Sequence, residues 1–392
     1  MFDKEAVIIK SHHRPITLSV GAWLGFILIY AFFDSYEWMM VNQKYAYGDW
    51  LINYQGGFVR RGFLGEVAFR IGGLVSINPK WIVLMFHLSA YSTFFFGFLY
   101  ALVKKNILTK YIFLVISPFI FQFQFNDVGG GFRKEILYFV ILSVNLMGAV
   151  YEGGKYKKKL FFLSLSVYPL LILAHELLVI YLPVVLILGK EYIFKSKRYI
   201  LSVVGLLILN CGSVILMVLY KGDAATIEKI CASLVDFCSS ELDKNGSISW
   251  LARDAIDGVR LVRYLYSNVY NLFYLFMSVV CVGIPFFCAR SQIYDIYKDV
   301  FSRLMLMSVF AGTFLLSIVA IDYGRFLYIL AVSLFALIIG CDKTSNEQQV
   351  LKLNCYTVFM SFLLLVYCFS VRLPHVPNSD MGSRYFKYLF NL

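Results

Sequence analysis

Of 392 residues, 60% are hydrophobic, 18% aromatic and only 15% charged, with a mean hydropathy of +0.72. That composition excludes a soluble globular protein, and the apolar residues run continuously without alternating, which in lipid means helices. The formal charge of +12 lies in short loops with no basic domain or tail, so it reads as positive-inside topology and anionic contacts, and no nucleic-acid role follows.

The expected fold is therefore all-α, a polytopic integral membrane protein forming a single transmembrane domain over residues 1–392. Met1 to Pro15 carries Lys4, Lys10 and Arg14 ahead of an apolar run and has no A-x-A cleavage site, so it reads as an uncleaved cytoplasmic lead. Apolar runs follow at 16–33, 81–103, 111–125, 136–151, 160–188, 199–220, 269–288, 304–320, 326–341 and 353–371. The run 160–188 holds Pro169 and Pro183 and is interrupted by His175-Glu176. Lys155, Lys157, Lys158 and Lys159 precede it, and Lys190, Lys195, Lys197 and Arg198 follow it, so both of its ends belong in the cytoplasm. It is expected to be a tight helical hairpin with His175-Glu176 at the tip. The count becomes about 11 transmembrane helices, with the N-terminus cytoplasmic and the C-terminus periplasmic. In this threading the six cytoplasmic segments total 66 residues and hold 19 of the 36 Lys and Arg, which supports the orientation.

The same threading gathers the polar clusters on the outer face. The first outer loop, 34–80, carries Asp34, Glu37, Asp49 and Glu66 around a glycine-punctuated stretch, Tyr54-Gln55-Gly56-Gly57-Phe58-Val59-Arg60-Arg61-Gly62-Phe63-Leu64-Gly65. Glycines let backbone approach a ligand, and two guanidinium forks match phosphate oxygens. The bland alternative is a pair of topogenic charges or lipid-headgroup contacts. The second loop, Asn126-Asp127-Val128-Gly129-Gly130-Gly131-Phe132-Arg133-Lys134-Glu135, repeats the recipe, with an interfacial anchor as its alternative. The long outer loop 221–268 holds Cys231 and Cys238, whose spacing suits a disulfide in an oxidising compartment. The other six cysteines lie in or beside apolar runs and read as small hydrophobes. Asp322-Tyr323-Gly324-Arg325 closes a very short turn, and the C-terminal tail adds Arg372, His375 and Arg384. An ionisable pair inside an apolar run, His175-Glu176, is a functional site by default.

Cations on an outer membrane face suit a lipid-linked diphosphate, whose departing oxygen they would stabilise. The expected substrate-binding set is Arg60, Arg61, Arg133, Lys134, Asp322 and Arg325. His175 and Glu176 are the expected catalytic pair, one removing a proton from a sugar hydroxyl, with Asp34 and Asp49 as carboxylates able to serve the same end. No zinc-type Cys/His spacing exists, so neither a metal nor a cofactor is expected.

A hydrophobic chain of about 400 residues with these passes, carrying Gly-Gly-Phe-Val-Arg-Arg-Gly, Arg-Lys-Glu, His-Glu and Asp-Tyr-Gly-Arg on its outer loops, resembles the Wzy-type polymerases of bacterial O-antigen and capsule synthesis. The resemblance implies a multi-pass protein of the bacterial inner membrane. There it would polymerise undecaprenyl-diphosphate-linked oligosaccharide repeat units at the outer face, with membrane lipids and a chain-length regulator as partners. A large periplasmic loop, usual in that family, is met only by the 48 residues of 221–268. Two alternatives stay open. A GT-C-like glycosyltransferase using a polyprenyl-phosphate sugar would take its base from the first outer loop, where Asp34 and Asp49 stand. A lipid-linked oligosaccharide flippase or other transporter would favour an internal repeat, and none is visible.

Overall fold

The computed structural model describes residues 13–234, 237–241, 244–342, 355–377 and 381–385. Most of the expected cytoplasmic lead and the start of the run 353–371 lie outside these residues. Regular structure among them is helical, and the one extended pairing is a single bridge between Val371 and Gly382. The principal helices are α1 (His13–Met40), α2 (Ala46–Leu51), α3 (Phe63–Val75), α4 (Pro79–Lys104), α5 (Ile136–Val150), α6 (Lys157–Ala174) and α7 (Leu182–Leu188). They continue with α8 (Lys197–Leu219), α9 (Ala224–Ser233), α10 (Ala255–Tyr266), α11 (Val269–Phe286), α12 (Val300–Val319), α13 (Tyr323–Cys341) and α14 (Cys355–Ser370).

Among the described residues seven helices are long and apolar enough to cross a membrane: α1, α4, α5, α8, α11, α12 and α13. Their placement follows from what covers their apolar sides. In α13, 83% of the apolar window is buried inside the protein, against 22% in α8 and α12. Helix α13 is thus the post around which the others stand, while Leu201, Ile208 and Val218 of α8 and Phe314 and Leu315 of α12 face outward as a lipid-exposed surface.

The run 160–188 folds back on itself. Helix α6 ends at Ala174, His175 adopts extended backbone (φ −160°, ψ 112°), and a 3-10 turn, Glu176–Tyr181, leads into α7. Lys157 at the start of α6 pairs with Glu191 at 2.8 Å just beyond α7, so the two arms begin and end side by side. Inside the hairpin the Tyr168 hydroxyl donates to the Leu178 carbonyl at 2.7 Å, satisfying an acceptor that the break had freed.

The expected helix 111–125 is instead a broken segment of short turns, Ile112–Val115 and Phe123–Asn126, continuing to Val128–Gly131. Pro118 cannot extend the first turn. Gln122 donates its amide to the freed Ile116 carbonyl, and the segment is buried from Leu114 onward, the condition under which irregular backbone is tolerated at membrane depth.

The bundle has two chemically different ends. At one, Lys105 donates to the Ile339 and Asp342 carbonyls and Lys190 pairs with Asp299. The other end gathers the loops after α1, before α5 and α13, and at the α6–α7 break. Over it lies the 221–268 loop, stapled by a Cys231–Cys238 disulfide. Gly246 (φ +55°) sits against the Lys44 backbone, where a Cβ would fall 2.5 Å from the Lys44 carbonyl carbon, so only glycine lets the loop close down on α2.

Candidate functional site

Four stretches of chain, distant in sequence, meet beneath that loop. Helix α2 is buried on every residue and carries Asp49 into the interior. After it the chain turns, and Arg61 takes left-handed backbone (φ +64°), rare for a residue with a Cβ. This conformation points the Arg61 carbonyl at the Lys134 ammonium, which donates to it at 2.7 Å, and the guanidinium at Glu176. There the Arg61 Nε donates to both carboxylate oxygens at 2.9 Å and Nη2 donates to Oε1 at 2.5 Å, a bidentate clamp.

From Glu176 the cluster continues through His175, buried at the hairpin tip, with Nδ1 at 3.8 Å from Glu176 and Nε2 at 3.6 Å from Glu135. Glu135 accepts from Arg325 at 2.5 Å, and Arg325 donates its other amine to Asp322 at 3.2 Å. Arg133 is fixed by backbone, donating to the Gly129 carbonyl at 3.0 Å and the Tyr45 carbonyl at 2.9 Å, and it also donates to the Ser247 hydroxyl. A small cavity opens between Arg133, Glu135, Arg325 and Tyr328.

The electrostatics follow from the company each group keeps. Burial alone would push Asp49 up, but the charges of Lys134, His175, Arg61 and Arg133 outweigh it and hold the carboxyl down at about 2. Asp49 is 1% exposed, and both of its oxygens lack a hydrogen bond among the described residues, so it is an ionised carboxylate with its acceptor sites open. Burial lowers Lys134 to about 8, partly offset by Asp49. Four cations (Arg61, Arg133, Lys134, Arg325) thus face four carboxylates (Asp49, Glu135, Glu176, Asp322).

Of the residues singled out in the sequence, Asp49, Arg61, Arg133, Lys134, His175, Glu176, Asp322 and Arg325 share this cluster. Asp34 does not. It lies within α1, which runs on past the expected boundary, and it pairs with Arg384 of the C-terminal segment. Arg60 turns the other way, and its Nη2 donates to the Trp250, Leu251 and Arg253 carbonyls, tying the 221–268 loop to the stretch after α2. Glu135 is the member not singled out, although it stands in the Arg-Lys-Glu triplet. Among the described residues no group of three or more His, Cys, Asp or Glu is arranged to hold a metal ion.

Comparison of the chain with family models, with curated proteins and with solved structures finds no match.

Proposed function

We propose that this protein is a membrane glycosyltransferase that polymerises undecaprenyl-diphosphate-linked repeat units at the outer face of the bacterial inner membrane. In this reading the chain makes about eleven passes, the charged end is periplasmic and the lysine-rich end cytoplasmic. The observation that carries the proposal is the convergence of eight charged side chains and a histidine in one buried cluster at one end of a helical membrane bundle. Stability does not explain it, because removing two charges from water costs several kcal/mol per ion and apolar replacements commonly do as well. Ionisable groups held inside a membrane domain instead mark the handling of a charged substrate.

The division of labour follows from the contacts. Diphosphate oxygens match the fork that Arg61 now closes on Glu176, so an incoming diphosphate would take over that fork and release the carboxylate. Lys134, Arg133 and Arg325 would stabilise charge on the departing phosphate. Arg61→Lys keeps charge but loses the fork. In a complemented deletion strain it is expected to shorten or abolish the polysaccharide ladder on a gel while immunoblot shows normal protein. Normal ladders from Arg61→Lys and Glu176→Gln alike would sink the site, and loss of all surface glycan, single repeats included, would favour a flippase.

One observation favours a second reading, the GT-C-like transferase with a polyprenyl-phosphate donor: Asp49, a first-loop carboxylate, has both oxygens open. Asp49→Asn would then yield lipid-linked glycan lacking one sugar, with chain length unchanged.

A further inference from the structure

Asp127 and His375 lie at the rim of the cluster. The Asp127 carboxylate accepts from the Gly130 amide at 3.0 Å and the His375 amide at 2.9 Å, and it meets His375 Nδ1 at 2.8 Å. Burial would raise Asp127, but the neighbouring imidazole and these donors hold it below the usual carboxylate range, so it is an acceptor only. The proton between the pair therefore belongs to Nδ1, which leaves Nε2 as the ring nitrogen turned away from Asp127. Nε2 makes no hydrogen bond among the described residues, and the His375 side chain is 22% exposed.

The ring's seat explains glycines whose conformational freedom the fold does not otherwise require. A Cβ on Gly129 would lie 3.0 Å from His375 Cε1, and one on Gly130 would lie 2.7 Å from His375 Cβ. On the other side Gly324 donates its amide to the His375 carbonyl at 3.3 Å, and a Cβ there would fall 1.9 Å from the Pro374 carbonyl oxygen. The loop 126–135 and the turn 322–325 thus form a socket for the C-terminal segment. Gly129, which lines that socket, also gives its carbonyl to Arg133.

We propose that His375, oriented by Asp127, is the base that takes the proton from the attacking sugar hydroxyl. This rests on the glycosyl-transfer reading. The other acceptors are less suited: Glu176, once the diphosphate takes over Arg61, would face that same anion, Glu135 accepts from Arg325 through Oε1 while its open Oε2 is buried, and Asp49 and His175 are sealed at 1% and 2% exposure. His375 contacts Asp127 and Gly324, on the two elements that carry Arg133 and Arg325, and its side chain keeps 22% exposure. The hydroxyl oxygen bonds to the anomeric carbon of the donor and the bond from that carbon to the diphosphate oxygen breaks. The lipid diphosphate leaves with the electron pair, and the hydroxyl proton passes to His375 Nε2. Asp127 touches no reactant and acts as the positioning residue that fixes the tautomer.

The test uses the full chain in a strain deleted for it, with a ladder gel of surface polysaccharide and an immunoblot. Wild-type complementation comes first, and a ladder unchanged by the deletion would defeat the glycosyl-transfer reading independently of His375. His375→Asn keeps an amide N–H for Asp127 but has no basic nitrogen. We expect wild-type protein levels and polymer reduced by about 100-fold or more, the scale of a lost general base. His375→Ala opens space for a free ring, and imidazole added to the culture is expected to restore part of its ladder. A normal ladder from His375→Asn would overturn the assignment, since a purely structural latch survives that change. So would the absence of any imidazole rescue in His375→Ala protein that accumulates normally.

Discussion

Arg60 and Arg61 adjoin in the chain, yet the left-handed turn at Arg61 sends their guanidinium groups to different partners. Arg60 ties loop to loop through three carbonyls, whereas Arg61 holds a carboxylate in phosphate-like geometry. Arg60→Ala is therefore expected to expose the outer loop to protease without changing which glycan is made. Glu176→Gln removes the countercharge from Arg61, and because both side chains are about a quarter exposed, the cost should be about 1–3 kcal/mol, read as a lower melting temperature in detergent. Lys134 offers a prediction with two opposite signs. Its amine is held down at about 8, below its unfolded value, so as pH rises above 8 the folded state carries less unfavourable buried charge and stability should increase until the unfolded chain also titrates. Over the same interval the cluster loses one of four cations, and polymer formation should fall. Parallel melting and pulse-incorporation measurements on either side of pH 8 would show the two curves diverging; a parallel rise would remove Lys134 from substrate binding.

At the scale of elements, the hairpin was readable because charge and proline act locally. Lysines at both ends of 160–188 and a polar dipeptide at its middle favour a fold-back over one straight helix, and Lys157 meets Glu191 accordingly. Segment 111–125 departs from the expected helix for the complementary reason, because its composition is as apolar as a membrane helix while its irregular course depends on burial by neighbours and on a side-chain bond from Gln122. Asp34 and Asp49 show the same limit within the site. Both are carboxylates of the first outer loop region, and only tertiary structure assigns Arg384 to one and the cationic cluster to the other. The disulfide was legible from a seven-residue spacing in a polar loop, and it closes a short loop worth about 2 kcal/mol. Alkylation of protein from intact cells without reductant should leave Cys231 and Cys238 unmodified. Cys231→Ser with Cys238→Ser should lower stability by about that amount and leave the ladder intact.

At the scale of the molecule, the asymmetry of the two ends turns orientation into a measurable quantity. The end bearing Lys105, Lys157 and Lys190 is the one that the positive-inside rule assigns to the cytoplasm. The opposite end bears the cluster, the disulfide and the C-terminal socket, and a disulfide, like the proposed glycan reaction, belongs in a compartment outside the cytoplasm. Positions for labelling can be chosen by exposure: Phe58 is 39% exposed at the cluster end, and the Lys155 side chain is 67% exposed at the other. In a background where the free cysteines Cys211, Cys281, Cys288, Cys341 and Cys368 are replaced, along with Cys355, Phe58→Cys should react with a membrane-impermeant thiol reagent in intact cells. Lys155→Cys should react only after permeabilisation. The reverse pattern would place the charged cluster in the cytoplasm, where nucleotide sugars are the available donors, and it would overturn the periplasmic polymerase while leaving the buried cluster itself to be explained by a cytoplasmic transferase.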